Sequence, residues 1–357
     1  MRKLSRRAWI AGAAMAAQAA GPPVVRLPKK VRVAIIGLEG HIGQLLEPMD
    51  RLPDVELVAI QDRDPALMRQ VLESKHGAHA RLYGKWRDLL DAEKLDIAGI
   101  CGTNGERAEV ILECAQRKLN IVAEKPLAIT WTDLDRIKKA VADSGIHLTM
   151  LIEMRFESPY RALKQIVESG DIGEVAQIAA QKSYKLGKRP DWMLHRSSFG
   201  GTIPYIGVHM VDLMRWTTGR ELVEVFSYQG RVGHPELQEM EDVTASIFKL
   251  DNGGSAALRM DYLRPDTAPT WGDDRLRLAG TRGVVEFQEA SGLTLVTDKK
   301  PPHQITDLPP AASLFIDFLN SVYSGGTTGL SLRDIYRVNE ISLATRDSAD
   351  QHQFVQL

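Results

Sequence analysis

The sequence predicts an α/β protein in two units, a doubly wound parallel sheet followed by a region dominated by strands. Three observations carry this prediction. Between residues 31 and 152, short β-branched or aliphatic runs alternate with helical stretches, the pattern of a parallel sheet with helices on both faces. The first of these runs ends in a turn with glycines at 37, 40 and 43. Beyond residue 173, strand-like runs follow one another, most of them with no helix between, which favours antiparallel pairing.

Taken in order, residues 1–30 read as an export signal and linker. Arg2, Lys3, Arg6 and Arg7 precede an apolar, small-residue run from Ala8 to Ala20 with an Ala-x-Ala end. That run is shorter than the ~20 residues needed to cross a bilayer, so it predicts a cleavable signal rather than a membrane anchor. Ser5-Arg6-Arg7 followed by Trp9 and Ile10 points to the twin-arginine route and hence to the periplasm. Folded proteins use that route, and a folded protein can carry a bound cofactor with it. Roughly 330 residues follow, enough for two domains of ordinary size, with expected ranges 31–152 and 153–357. Lys plus Arg (45) nearly balance Asp plus Glu (46). No basic face follows from that total, so nucleic acid is not an expected partner. Cys101 and Cys114 each lie on the core-facing pattern of their own element and are expected as two buried free thiols. No ligand spacing suggests a metal.

VRVAII (31–36) predicts the first strand, followed by the glycine turn and a helix toward Met49. Glycines there allow a tight strand-to-helix turn and close approach of backbone to a pyrophosphate. ELVAI (56–60) predicts the second strand, and Asp62 stands just past it, nineteen residues after Gly43. A carboxylate at that spacing suits a ribose diol, so NAD is the expected cofactor. Arg63 could instead stack on adenine or face a 2′-phosphate, which keeps NADP open. The loop reads G-x-x-G-x-x-G, with Glu39 inside it, where the usual fingerprint is G-x-G-x-x-G. Helices are then expected over about 65–76, 107–118 and 130–144, and strands over 95–102, 120–126 and 147–152. In the second unit, helices are expected at 159–168, at 204–218 and after Ser331. Strands are expected in EVAQIAAQKSYKL, LVEVFSYQGRV, VTASIFKL, SAALRMDYL, RLRLAG and GVVEFQ, with Asp251-Asn252-Gly253-Gly254 as a hairpin turn.

Ala123-Glu124-Lys125-Pro126-Leu127 follows a predicted strand end. With MRFESPYRALKQIVESGDIGEV (154–175), RPDWMLH (189–195), GGTIPYIGVHMVDLMRWTTG (200–219) and EDVTASIFKLDNGG (241–254), the chain resembles the glucose–fructose oxidoreductase / inositol dehydrogenase / rhizopine catabolism family from about residue 31 onward. The resemblance implies a Rossmann domain, a C-terminal α/β domain with a large open, mainly antiparallel sheet, and a nicotinamide ring between them. It implies hydride transfer at a CH–OH carbon of a sugar or cyclic polyol. Lys125 is then the acid/base or oxygen-polarising lysine, often beside a cis proline bond, and His209 the active-site histidine. Glu124 is expected to orient the turn and, with Asn104, to lie beside the cofactor. Subunit contacts through the open sheet are also implied, giving a dimer or tetramer.

Two departures stand out. The family commonly carries aspartate four residues before the histidine, where this chain has Tyr205. Tyr205 either joins the proton relay or shapes the pocket. After the strand at 95–102 the chain has Gly102-Thr103-Asn104 and Arg107 instead of Thr-Pro-Asn and a histidine. Arg155, Tyr184, Trp192 and His195 are candidate substrate contacts. Besides a cofactor-retaining oxidoreductase, two other functions fit the sequence: a redox-neutral sugar enzyme that oxidises transiently, and a non-catalytic sugar-binding protein.

Overall fold

A computed structural model describes residues 23–357; the expected export signal falls almost entirely outside them. The first sheet holds β1 (Val31–Ile36), β2 (Val55–Gln61), β3 (Arg81–Tyr83), β4 (Ile97–Ile100), β5 (Asn120–Ala123) and β6 (Leu148–Met150). Its order is β3-β2-β1-β4-β5-β6 and all pairs are parallel. β1 and β4 are wholly or nearly wholly buried, as strands covered on both faces must be. The order reverses at β1, where Ile36 lies opposite both Gln61 and Ile100. The loops after β1, β2 and β4 therefore open on one crevice, the place where such sheets bind ligands.

Local chemistry sets the boundaries. The helix after β1 is α-helical only over Gly43–Leu46 and tightens to a 3-10 turn over Glu47–Arg51, because Pro48 has no N–H to continue the α pattern. Asp64 caps the helix Pro65–Leu72 by accepting from Ala66 N–H, and Thr130 caps Trp131–Ser144 by accepting from Asp133 N–H. That second helix ends at Gly145 with φ +68°.

The second sheet has nine strands: β7 (Val175–Ser183), β8 (Leu222–Gly230), β9 (Val243–Leu250), β10 (Ser255–Asp261), β11 (Arg275–Gly280), β12 (Gly283–Gln288), β13 (Gly292–Thr297), β14 (Lys300–Ile305) and β15 (Val355–Gln356). The order is β14-β13-β12-β11-β7-β10-β9-β8-β15. Every pair is antiparallel except β7 with β10. β9 and β10 alternate buried and exposed residues strictly, so one face is packed and the other open. The packed face carries helices Ser158–Glu168 and Val208–Thr218.

The helix Leu332–Gln351 contacts β6, the helix Trp131–Ser144, the helix Val208–Thr218 and β8. It thereby joins the two sheets. Its buried Asn339 accepts from Leu127 N–H at 2.8 Å, which ties down the turn that carries Lys125. Among the described residues no helix is long and apolar enough to cross a membrane.

Candidate active site

The crevice is assembled from the glycine loop, the turn after β5, and the segments around residues 153, 182 and 205–209. Gly37 has φ +75°, and a Cβ there would fall 2.2 Å from Gly102 backbone atoms. Gly40 has φ +69°, and a Cβ there would fall 2.1 Å from Glu124 Oε1. Both positions are closed to other residues. Gly43 is different: the nearest atom to its added Cβ is Glu47 Oε1 at 3.4 Å. Asp62 accepts from Leu38 N–H and Asp64 N–H, both at 2.7 Å, so the expected ribose-binding carboxylate also fixes the glycine loop. Among the described residues the N–H groups of Gly40, Ile42 and Gly43 meet no protein acceptor. They form a cradle of free donors that fits a pyrophosphate. Arg63 is exposed and paired with Glu106 at 2.5 Å.

Glu124, Lys125 and His209 are each at most 5 % exposed. Glu124 accepts from His41 N–H at 3.0 Å, contacts His41 Nδ1 at 2.5 Å and accepts from Lys125 N–H at 2.8 Å. It clamps the glycine loop to the lysine turn. Burial opposes its charge, yet His41, Lys125 and Arg107 hold the carboxyl down at about 2. The Lys125–Pro126 bond is cis. Lys125 Nζ donates to the Tyr205 carbonyl at 2.8 Å and stands 3.7 Å from the Tyr205 ring centroid. Burial pulls the ammonium down to about 8, with Lys182 and Arg107 adding to the shift and Glu124 and Glu153 opposing it.

Residues 203–207 form a π-helical turn, so Tyr205 and His209 are not related by the plain helical turn expected. Tyr205 supplies its carbonyl and ring face to Lys125, packed by Phe199 at 5.0 Å and Trp192 at 6.4 Å. Its phenol is pushed up to about 12 by burial and Glu124, against Arg189 and Arg107. It therefore stays protonated near neutrality, and its contacts with Lys125 run through carbonyl and ring face. His209 is held well below the ordinary imidazole range by burial, then by Lys125, Lys182 and His41. Its Nδ1 is buried without a partner.

Several candidates lie elsewhere or do other work. Arg155 is 2 % exposed, grips Asp212 with Nε at 2.9 Å and with Nη2, and donates through Nη1 to Gly329 O at 2.8 Å. His195 is half-exposed beside Asp191 at 3.6 Å and stays out of the Lys125 cluster. Asn104 donates to Phe199 O at 2.8 Å and accepts from Arg107 at 2.9 Å; its amide joins the two units. Trp192 donates to Glu39 Oε2 at 2.7 Å, a bond across the crevice that also turns the loop's odd carboxylate away from the N–H cradle. Tyr184 lies near the crevice, with Lys182 Nζ 5.3 Å from its ring centroid. Lys182 is buried and bonded to Asp274 at 2.7 Å. Cys101 and Cys114 are both buried and free.

Sequence reasoning missed His41, Glu153 and Lys182. His41 lies inside the glycine motif, where an ionisable side chain was the one available signal. Glu153 and Lys182 carry no local pattern at all.

Residues 31–151 match the family described as "Oxidoreductase family, NAD-binding Rossmann fold", and residues 160–286 match the "GFO/IDH/MocA C-terminal domain". The chain is 26 % identical over 274 residues to myo-inositol 2-dehydrogenase of Thermotoga maritima, covering 76 % of this chain and 79 % of that one. It is also 26 % identical over 258 residues to the uncharacterized oxidoreductase YrbE of Bacillus subtilis, covering 72 % and 73 %. A solved oxidoreductase from Thermotoga maritima superposes with a TM-score of 0.85 at 31 % identity, over 92 % of this chain and all of that one. The aldose-aldose oxidoreductase of Caulobacter crescentus, solved with glycerol, shares the fold, with a TM-score of 0.78 at 20 % identity over the same shares.

Proposed function

The chain belongs to the Gfo/Idh/MocA family of NAD-dependent oxidoreductases, and from that premise we propose that it transfers hydride at a CH–OH carbon of a sugar or cyclic polyol, with Lys125 as the proton-transferring group. One observation carries the proposal: a buried lysine with a depressed pKa stands at the carboxyl edge of the parallel sheet, electrostatically coupled to a buried neutral histidine. The inositol dehydrogenase relative supports the substrate class.

Gly37, Gly40 and Gly43 shape the backbone that would hold the pyrophosphate, and Asp62 would hold the ribose. When bound, NAD supplies the hydride acceptor or donor. Lys125 takes the hydroxyl proton in the oxidising direction and returns it in the reducing one. Its neutral form is accessible near neutrality because burial disfavours the ammonium. Tyr205 fixes Nζ from below, through carbonyl and ring. His209, kept neutral, offers a ring nitrogen to the substrate oxygen.

Export through the twin-arginine route belongs to the same proposal. Outside the cytoplasm the cofactor must be retained and recycled in place, and the Glu39–Trp192 bond across the crevice supports retention. Copies of the chain would meet through the open face of the nine-stranded sheet, where Tyr228 and Ile247 are more than half exposed. The test is native mass spectrometry of protein purified from the periplasm, followed by turnover of myo-inositol and of glucose with fructose. Retained NAD, and turnover lost in Lys125→Met, are expected. An empty protein that binds NAD weakly sinks the retention account, and undiminished turnover in Lys125→Met sinks the chemistry.

A further inference from the structure

Three side chains converge on one wall of the crevice: His41 from the glycine loop, Glu153 from the segment after β6, and His209 from the helix Val208–Thr218. One ligand atom of each lies within 4.8 Å of the others. His41 Nε2 and Glu153 Oε1 are 3.7 Å apart, and the two imidazole rings meet edge to face with centroids 5.8 Å apart. Two atoms in the group have no partner: His209 Nδ1 and Glu153 Oε2 are both buried without a hydrogen bond. Buried polar atoms are seldom left so unless something else satisfies them. His41 has its other nitrogen, Nδ1, against the Glu124 carboxylate at 2.5 Å. A carboxylate behind a histidine in this way fixes the tautomer that leaves Nε2 free to coordinate.

We propose that His41, Glu153 and His209 form a divalent-cation site, of zinc or manganese type, with an open position toward the substrate crevice. Two nitrogens and one carboxylate oxygen are a borderline-soft set, suited to those ions over calcium or magnesium. Three protein ligands leave at least one coordination position for a substrate oxygen. The cation would then hold the oxygen that His209 otherwise meets directly. Glu124 serves as the outer carboxylate. Lys125 and Lys182 both act on His209, so their charges weaken the expected affinity below that of structural zinc sites.

The site shares the crevice of the hydride-transfer proposal, but it is tested without cofactor or substrate. The chelator-treated full chain is titrated by calorimetry with zinc chloride and, separately, with manganese chloride, and metal content is measured after dialysis. About one zinc per chain is expected, weakened at least ~10-fold in Glu153→Gln and in His41→Asn. His195→Asn, which alters a half-exposed histidine outside the cluster, leaves binding unchanged. Lys125→Met keeps the cation even where activity is lost, so failure of one proposal is distinguishable from failure of the other. Melting curves establish that each variant is folded, and Glu153→Gln preserves side-chain shape. Substoichiometric binding, or equal binding in wild type and both ligand variants, overturns the site, the latter assigning the ion to adventitious surface groups.

Discussion

Arg155 separates two views of this fold, since a buried guanidinium is either a hook for substrate or a clasp for the protein. The perturbation is Arg155→Met. In the folded chain Arg155 and Asp212 are 2 % and 1 % exposed in their side chains, with a two-pronged contact and a further bond to Gly329 O at 2.8 Å. Methionine keeps the stem and removes the charge. Asp212 is then left buried with only the weaker pull of Arg215, which costs up to ~3–5 kcal/mol, and the Gly329 carbonyl loses a donor worth ~1 kcal/mol. A fall in melting temperature on the order of 10 °C follows for a chain of this size. Part of that loss depends on pH. Burial already raises the Asp212 carboxyl against the pull of Arg155, and removing Arg155 raises it further. A carboxyl with a folded pKa above its unfolded one weakens the fold as pH rises between the two. Arg155→Met should therefore melt closer to wild type at pH 5 than at pH 8. The double variant Arg155→Leu/Asp212→Leu removes both charges and should recover most of the stability, apart from the Gly329 contribution. The assays are melting curves across pH, paired with KM for the substrate. An unchanged melting temperature with a many-fold rise in KM would refute the clasp and return Arg155 to the pocket.

The remaining expectations are shorter. Lys125→Met should lower kcat/KM by on the order of 10²–10⁴-fold. In wild type, kcat/KM for alcohol oxidation should rise with pH and level off above about 8, because the neutral amine is the base; ketone reduction should show the opposite slope. Gly40→Ala forces a Cβ to 2.1 Å from Glu124 in a left-handed backbone, so NAD affinity and melting temperature should both fall, at ~1–3 kcal/mol of strain. Gly43→Ala, with 3.4 Å to a flexible side chain, should be nearly silent in both measurements. Cys101 and Cys114 should resist a thiol reagent in the native state and react only on unfolding. Burial pushes both thiols up, Cys114 to about 12.

The parallel sheet was legible, β3 apart, because its other strands are short buried runs bounded by glycine or polar residues, and periodicity reports burial directly. The elements missed have weak periodic signals. β3 is three residues long. β14 contains Pro301 and Pro302, and prolines argue against a strand except at an edge, where β14 lies. The π-helical turn at 203–207 inserts into a pattern that reads as one continuous helix. At the site, Lys125 and His209 stand out in the sequence through their motifs. The Arg155–Asp212 pairing was not legible because the partner lies 57 residues away, and a local pattern carries no information about such a pairing. The same reason hid the cluster of residues 41, 153 and 209.

The network around Glu124 shows how the fold adjusts the lysine. A buried ammonium beside a lone carboxylate would be held charged, and no base would be available near neutrality. Here Glu124 is already engaged by His41 and two backbone N–H groups, while Lys182 and Arg107 push on Lys125 from other sides. Burial then dominates, and the amine falls to about 8. The Tyr205 ring opposes this in part, since a π face 3.7 Å from Nζ favours the cation. Tyr205→Leu should thus lower the pH at which kcat/KM levels off, whereas Tyr205→Phe, retaining ring and carbonyl, should leave it in place. Equal shifts in both variants would mean that the phenol oxygen, and not the ring face, sets the amine's protonation.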